Sequence, residues 1–265
     1  MVKKLLRGIF CILLLTAAGA CYARWCEPRW VEVKHVTLKG AFEKEYTVAA
    51  FGDTHIGFYE NEQQFQKVID TVNKEKPDAV LFLGDLFDEY NSYTGDIQTV
   101  IRDLSQLEAG TKLAVMGNHD VGGGAESVYQ KMMKEAGFSV LRNQAVEDGQ
   151  INFIGAEDSM FYHPETAQLL RDDRYNLVIS HEPDYAKQAG KFGLLVAGHT
   201  HGGQIALPFY GALVKVPGGK TYTAGLYETE NGKVYVNRGI GTTHWPLRFF
   251  ARPEITIFHF LPADA

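Results

Sequence analysis

Beyond Cys26 the chain has no cysteine at all: Cys11, Cys21 and Cys26 lie in or beside its first apolar stretch. Everything downstream therefore folds without disulfides and offers a metal no thiolate. A basic excess is missing too, since 26 Lys and Arg stand against 32 Asp and Glu, a net charge of −6. That excludes a general nucleic-acid binder, which needs surplus cations to neutralise a phosphate backbone. It does not exclude a small phosphorylated substrate handled through metal ions. No repeat, low-complexity tract or linker follows about residue 40, so the bulk of the 265 residues reads as one large domain. The 45% hydrophobic content and 27 glycines are those of a globular protein with many tight turns.

Residues 1–24 read as a targeting segment. Lys3, Lys4 and Arg7 precede an uncharged run from Gly8 to Ala23, which Arg24 closes. Sixteen helical residues reach roughly 24 Å, slightly short of a hydrocarbon core, which fits a short anchor or a signal-peptide core. Ala18-Gly19-Ala20 would serve as a cleavage site, and Cys21 after it as a lipidation cysteine, although Ala18 stands where a large aliphatic is wanted. We take the segment as an uncleaved anchor in the cell membrane, with cleavage and export as the alternative. Lys and Arg are balanced across it, so the facing side stays open.

Apolar periodicity then alternates between strands and helices. Residues 29–38 read as a strand within a connecting segment, 25–45, and 46–265 as the main domain. Strands follow at Tyr46–Phe51, Ala79–Leu83, Lys112–Met116, 139–141, 151–155, Leu177–Ser180 and Leu194–Ala197. Asn61 is placed to cap a helix carrying Phe65, Val68, Ile69 and Val72, which Pro77 stops; Ile97 to Leu107 and 125–136 mark two more. Another helix is expected near Pro183. After residue 203 the segments Gln204–Leu207, Thr223–Tyr227, Lys233–Asn237 and Glu254–Phe260 read as strands. The expectation is an α/β domain whose second half builds a second sheet.

Five of these strands end in ligand-type residues: Asp53 and His55, Asp85, Asn118 and His119, His181, and His199 and His201. Taken singly, Asp53 and Asp85 read as caps or Asx turns, Asn118 as a positive-φ turn residue and a lone histidine as interior. At successive strand ends of an α/β sheet they meet at one rim, where such folds bind ligands. Oxygen and imidazole without sulfur suit Mn²⁺, Fe²⁺ or Zn²⁺, and there are more ligands than one ion needs. Two divalent metal ions, one carboxylate bridging, account for the surplus. Arg238 and Arg248, in turns of the C-terminal β region, are candidates for bidentate phosphate contacts.

The ordered motifs Asp53-Thr54-His55, Gly84 to Asp88, Gly117 to Asp120, His181 and Gly198 to His201 resemble those of the calcineurin-like metallophosphoesterase superfamily. Cys26-Glu27-Pro28, the run Gly198 to Gln204, Asn237 to Gly241 and Arg252 to Ile255 extend the resemblance to its membrane-associated or exported bacterial phosphodiesterases of the YaeI and YkuE type. The twin-arginine signal of some of those relatives is absent here. The resemblance implies a sandwich of two packed mixed β-sheets flanked by helices (α/β/β/α) behind the N-terminal anchor. It implies Asp53, His55, Asp85 and His201 on one metal, and Asp85, Asn118, His181 and His199 on the other. It casts His119 as the group that protonates the leaving oxygen and Asp88 as the carboxylate orienting it. Manganese is the first expectation for the metals, with zinc, iron or a mixed pair as alternatives. The implied activity is cleavage of a phosphodiester or pyrophosphate bond, in a small phosphorylated molecule or a lipid-linked one such as UDP-2,3-diacylglucosamine. A non-catalytic scaffold and a phosphomonoesterase are the competing classes. A protein phosphatase fits less well, because Glu89-Tyr90 follows Asp88 where that subclass has Arg-Gly.

Overall fold

A computed structural model describes residues 1–58 and 62–264 of the chain. The apolar leader is one helix, α1 (Val2–Cys21), continued by a wider turn (Tyr22–Cys26) and a 3₁₀ turn (Glu27–Arg29). At 20 residues it is about 30 Å long, the thickness of a hydrocarbon core. None of α1 is buried against the protein.

The first sheet runs in the order β1-β14-β2-β3-β4-β5. Its strands are β1 (Glu32–Gly40), β2 (Tyr46–Phe51), β3 (Ala79–Phe82), β4 (Thr111–Ala114), β5 (Ser139–Val140) and β14 (Glu254–Pro262). The second sheet, β12-β13-β9-β8-β7-β6, contains β6 (Gln144–Asp148), β7 (Ile151–Gly155), β8 (Tyr175–Ile179), β9 (Leu194–Ala197), β12 (Gly225–Thr229) and β13 (Gly232–Val236). Both are mixed: β2–β5 and β7–β9 run parallel to their neighbours, while β14 is antiparallel to β2 and the second sheet ends in antiparallel strands. A small hairpin, β10 (Ala206–Leu207) and β11 (Gly211–Ala212), stands apart from both.

Burial on both faces explains why the central strands read as unbroken apolar runs. In β2, Val48 and Ala50 enter the layer between the sheets, while Ala49 and Phe51 face the helices. In β9, Leu194 and Val196 point inward, and Leu195 and Ala197 point to the outer face of the second sheet. The helices α2 (Glu62–Lys74), α3 (Ile97–Ser105) and α5 (Glu126–Glu135) cover the first sheet through Phe65, Val68 and Ile69, Val100 and Leu104, and Tyr129 and Met133. Two packed sheets flanked by helices is the architecture the sequence predicts.

Four local readings change. Pro183–Lys187 is a 3₁₀ turn rather than a helix, and it covers the second sheet with Tyr185 and Ala186. The expected strand at Gln204–Leu207 shrinks to β10. Asn118–Gly122, read as loop, forms a one-turn helix α4. The last strand does not join the second sheet: β14 inserts between β1 and β2, its Ile255 and Ile257 facing the helices and Phe258 and Phe260 the sheet interface. β1 is consequently hydrogen-bonded along its length to β14, from Glu32–Glu254 to Gly40–Pro262. The expected cap Asn61 lies outside the described residues.

Candidate active site

The loops leaving β2 and β3 zip together and carry the first donors. The amide of Asp53 donates to the Gly84 carbonyl (2.9 Å), that of His55 to Asp85 (3.2 Å) and that of Ile56 to Leu86 (2.9 Å). This ladder leaves no room for ordinary residues: a Cβ on Gly117 would sit 2.3 Å from Asp85 Oδ1, and Gly84 bends at φ +94° with Gly117 N against it. The donors themselves are strained. Asp53, His55, Asp85, His199 and His201 all lie in the left-handed region, with φ between 45° and 70°. That conformation costs a non-glycine residue on the order of 1 kcal/mol or more, and strain of this kind collects where a ligand or reaction requires it.

Each imidazole is fixed by one nitrogen, which leaves the other for the site. Nδ1 of His181 donates to the Leu83 carbonyl at 2.7 Å, and Nε2 of His199 to Pro217 at 2.7 Å. His55 Nδ1 is held by Asp88 Oδ1 at 3.0 Å. Free nitrogens and carboxylates then converge. His55 Nε2 and His201 Nε2 are 3.0 Å apart, and Asp85 Oδ2 lies 3.1 Å from His181 Nε2 and 3.6 Å from His55 Nε2. Asp53 Oδ1 is 3.9 Å from His181 Nε2 and also accepts the His199 amide at 2.9 Å.

Three triads meet the spacing of a metal site: Asp53 with His55 and His201, Asp85 with His181 and His199, and His55 with Asp85 and His119. Among the described residues, buried His181 Nε2 and Asn118 Oδ1 find no hydrogen-bond partner. Asp158 Oδ2, Arg174 Nε and Glu182 Oε1 lack such a partner as well, but His181 Nε2 and Asn118 Oδ1 belong to the donor loops, where an unpartnered buried atom points to a missing ligand. Two nitrogens 3.0 Å apart match donors about 2.1 Å from one ion at a right angle. The residues present fit divalent metals.

The electrostatics of the protein groups centre on Asp85. Burial opposes the charge on Asp85, but the His181 and His55 imidazoles overcome it and hold the carboxyl far below its usual range. Asp53 is pushed up by burial, and His201 is pushed well down by burial and then by His55 and Arg248. His201 is thus in the neutral form that binds a cation. Against its burial, Asp85 and then Asp53 hold His181 well above its usual range, so the ionised Asp85 leans on a neighbouring imidazole where a cation would otherwise sit.

His119 opens α4 beside this cluster, its amide donating to Asp85 Oδ1 at 2.9 Å. Its Nδ1 donates to the Asp88 main-chain carbonyl at 2.7 Å, and the Asp88 carboxylate is farther, at 3.6 Å. The orienting atom is therefore the carbonyl, while the carboxylate serves His55 and accepts from Thr243 Oγ1 at 3.2 Å. Burial would lower the His119 pKa, yet Asp85, the Asp88 carbonyl bond and the Asp88 charge leave it raised. The ring is partly exposed.

The two arginines expected on the substrate are turned inward. Arg248 is fully buried and donates to the carbonyls of Gly241, Ala251, Arg238 and Gly239, with Nη2 also 3.2 Å from His201 Nδ1. Arg238 pairs with Glu254 and Glu32. Asp120, absent from the expected set, is buried and takes the amides of Asp85 (2.8 Å), Leu86 (3.0 Å) and Gly117 (3.0 Å), which clamps two donor loops together. Burial and the Asp85 charge push its carboxyl up to about 7. Its spacing three residues after Gly117 was the signal available.

Two packed mixed sheets flanked by helices, with an all-nitrogen-and-oxygen donor cluster at their strand ends, are the setting of a metal-dependent phosphoesterase. Residues 46–203 match the family model for calcineurin-like phosphoesterases, and the chain belongs to that family. It is 39% identical over 275 residues to the uncharacterized metallophosphoesterase YkuE of Bacillus subtilis (strain 168), covering 97% of this chain and 96% of that one. It is 29% identical to the phosphodiesterase YaeI of Escherichia coli (strain K12), over 92% of this chain and 93% of the relative. A transmembrane protein with a metallophosphoesterase domain from Danio rerio is 27% identical over 77% of this chain and 50% of its own length.

Proposed function

We propose that this phosphoesterase is a two-metal enzyme that hydrolyses a phosphodiester or pyrophosphate bond. The observation that carries the reading is the position of Asp85 between the two donor groups, 3.1 Å from His181 and 3.6 Å from His55. Asp53, His55, Asp85 and His201 would hold one ion, and Asp85, Asn118, His181 and His199 the other. Bound there, the ions would supply Lewis-acid charge at the phosphoryl centre and lower the pKa of the attacking water. Manganese is our first assignment, and the absence of sulfur donors supports it.

The residues do the rest. His119 has its Nδ1 proton engaged by the Asp88 carbonyl, which leaves Nε2 to act on the substrate, and Asp85 and Asp88 favour the protonated ring against its burial. We assign it the transfer of the Nε2 proton to the leaving oxygen, a role worth roughly 10²–10⁴-fold. Asp88 aims His55 and shapes the pocket for His119; Asp120 keeps the Asp85 and Gly117 loops in register. Diester specificity is supported by the activity named for the Escherichia coli relative. An apolar α1 left wholly exposed supports residues 1–24 as a membrane anchor and a lipid-linked substrate.

The test is metal content and turnover on the same samples. Elemental analysis should find two divalent ions per chain, with hydrolysis of bis(nitrophenyl) phosphate restored to chelated enzyme by Mn²⁺. One ion per chain at full activity would overturn the two-metal assignment.

A further inference from the structure

We propose that the apolar rim beside the donor cluster is a membrane-docking face. The β10–β11 hairpin, the Trp245 loop and Phe250 would seat in the head-group zone of the bilayer that α1 enters, with the catalytic site opening onto phosphoesters carried by lipids of that bilayer. This rests on reading the donor cluster as a phosphohydrolase.

Six large apolar side chains here face outward: Phe209, Tyr210, Leu213, Val214, Trp245 and Phe250, with Phe209 fully exposed and Trp245 at 68%. A soluble surface seldom groups such residues without a partner. What covers them follows from what they are attached to. Phe249 bridges to Ile205 and accepts the Ala206 amide, tying it to the hairpin. On its other side the Arg248 amide donates to the Ala23 carbonyl at 3.0 Å, and the Phe249 ring meets Tyr22 edge-on. Ala251 donates to the buried Glu27 carboxylate at 2.6 Å. The foot of α1 and the hairpin are therefore joined through one strip of chain, and the medium that takes α1 lies beside the hairpin as well.

The same strip reaches the chemistry. Gln204, three residues after His201, donates to the carbonyls of Thr243 and Trp245, each at 3.0 Å, and Thr243 in turn contacts Asp88. Residue types agree with an interface. All three tryptophans, Trp25, Trp30 and Trp245, are more than half exposed, and two stand at the foot of α1. Aromatic rings with a polar edge collect where a bilayer meets water. Arg29 at the helix foot and Lys215 just beyond the hairpin are exposed and basic, which suits anionic head groups.

The three tryptophans provide the test. Full-length, metal-loaded protein would be placed in phosphatidylcholine–phosphatidylglycerol vesicles, with and without bromine high in the acyl chains. A Trp25→Phe/Trp30→Phe variant leaves Trp245 as the only tryptophan; adding Trp245→Phe and Phe209→Trp moves the reporter to the hairpin. Both should shift to the blue, resist aqueous acrylamide and lose most of their emission to bromine. Phe209→Ser with Leu213→Ser should cut turnover of a vesicle-borne phosphodiester roughly tenfold or more and leave a soluble diester unchanged. Reporters that remain open to acrylamide and blind to bromine, on protein still bound to vesicles, would overturn the proposal. So would protection without bromine quenching, accompanied by a doubled mass in detergent, which would make the face a contact between copies. Recovery of a soluble chain cleaved after α1 that ignores vesicles would overturn it too. Bromine quenching without turnover of either substrate would instead count against the phosphohydrolase reading alone.

Discussion

Replacing Arg248 by Met separates a structural arginine from a phosphate-binding one. The guanidinium is fully buried and donates to four main-chain carbonyls, at 2.7 Å for Ala251, 2.9 Å for Arg238, 3.2 Å for Gly239 and 2.5 Å for Gly241. Met fills much of the same volume and offers no donor. Each stranded buried acceptor costs about 1–3 kcal/mol, while relief of a desolvated cation and relaxation of the loop offset part of the sum. A net loss of about 3–5 kcal/mol follows. In a domain of this size 1 kcal/mol moves Tm by about 2–4 °C, so the variant should melt roughly 6–20 °C lower. Arg248→Lys keeps the charge without the planar fork and should fall between. KM for a soluble diester should stay within about twofold, whereas kcat falls because His201 loses the contact behind its ring. Thermal denaturation and steady-state kinetics on the same metal-loaded samples check this. A Tm within about 2 °C of the parent together with a tenfold rise in KM would refute the reasoning and return Arg248 to the substrate.

Asp85→Asn removes the charge common to both donor groups, and elemental analysis should show at least one ion lost together with activity; full occupancy would reject the bridging role. His119→Ala should slow poor leaving groups by roughly 10²–10⁴-fold and a nitrophenyl ester far less, so equal losses on both would count against proton donation. Because His119 must be protonated to act and its pKa is raised in part by Asp88, activity on a poor leaving group should decline as pH rises above the ordinary histidine range. Asp88→Asn takes away one of the charges that favour the protonated ring, so that alkaline limb should move to lower pH in a rate profile; an unmoved limb would assign it to another group. Full-length protein should sediment with membranes and stay there in high salt, since an apolar helix is not held by screened charges.

Much of the site was legible because its chemistry sits at strand ends. Buried strands read as apolar runs, and polar donors that end them stand out: Asp53, Asp85 and His199 follow a glycine, and His181 closes the run from Leu177. Asp120 was harder. Its role is to collect three amides from two loops, and nothing in a carboxylate's neighbours along the chain announces which amides will meet it. The arginines failed for a related reason. An arginine in a glycine-rich turn looks solvated, and only packing shows that Arg248 is sealed behind His201 and that Arg238 is engaged by Glu32 and Glu254.

By itself the sequence determined the donor set, the order in which strands present it, the apolar leader and the two-sheet class, because periodicity, glycine placement and residue chemistry are local properties. The tertiary structure alone decided that the C-terminal strand threads between β1 and β2, since several sheet edges compete for a strand whose faces are apolar on both sides. It also decided the left-handed backbone at Asp53, His55, Asp85, His199 and His201. Aspartate and histidine enter that region more readily than most side chains, but it remains a minority conformation for each, and local preference does not set it at five places. It persists because the loop ladders and the clamp of Asp120 over-determine it, and it turns side chains from separate strands toward one point.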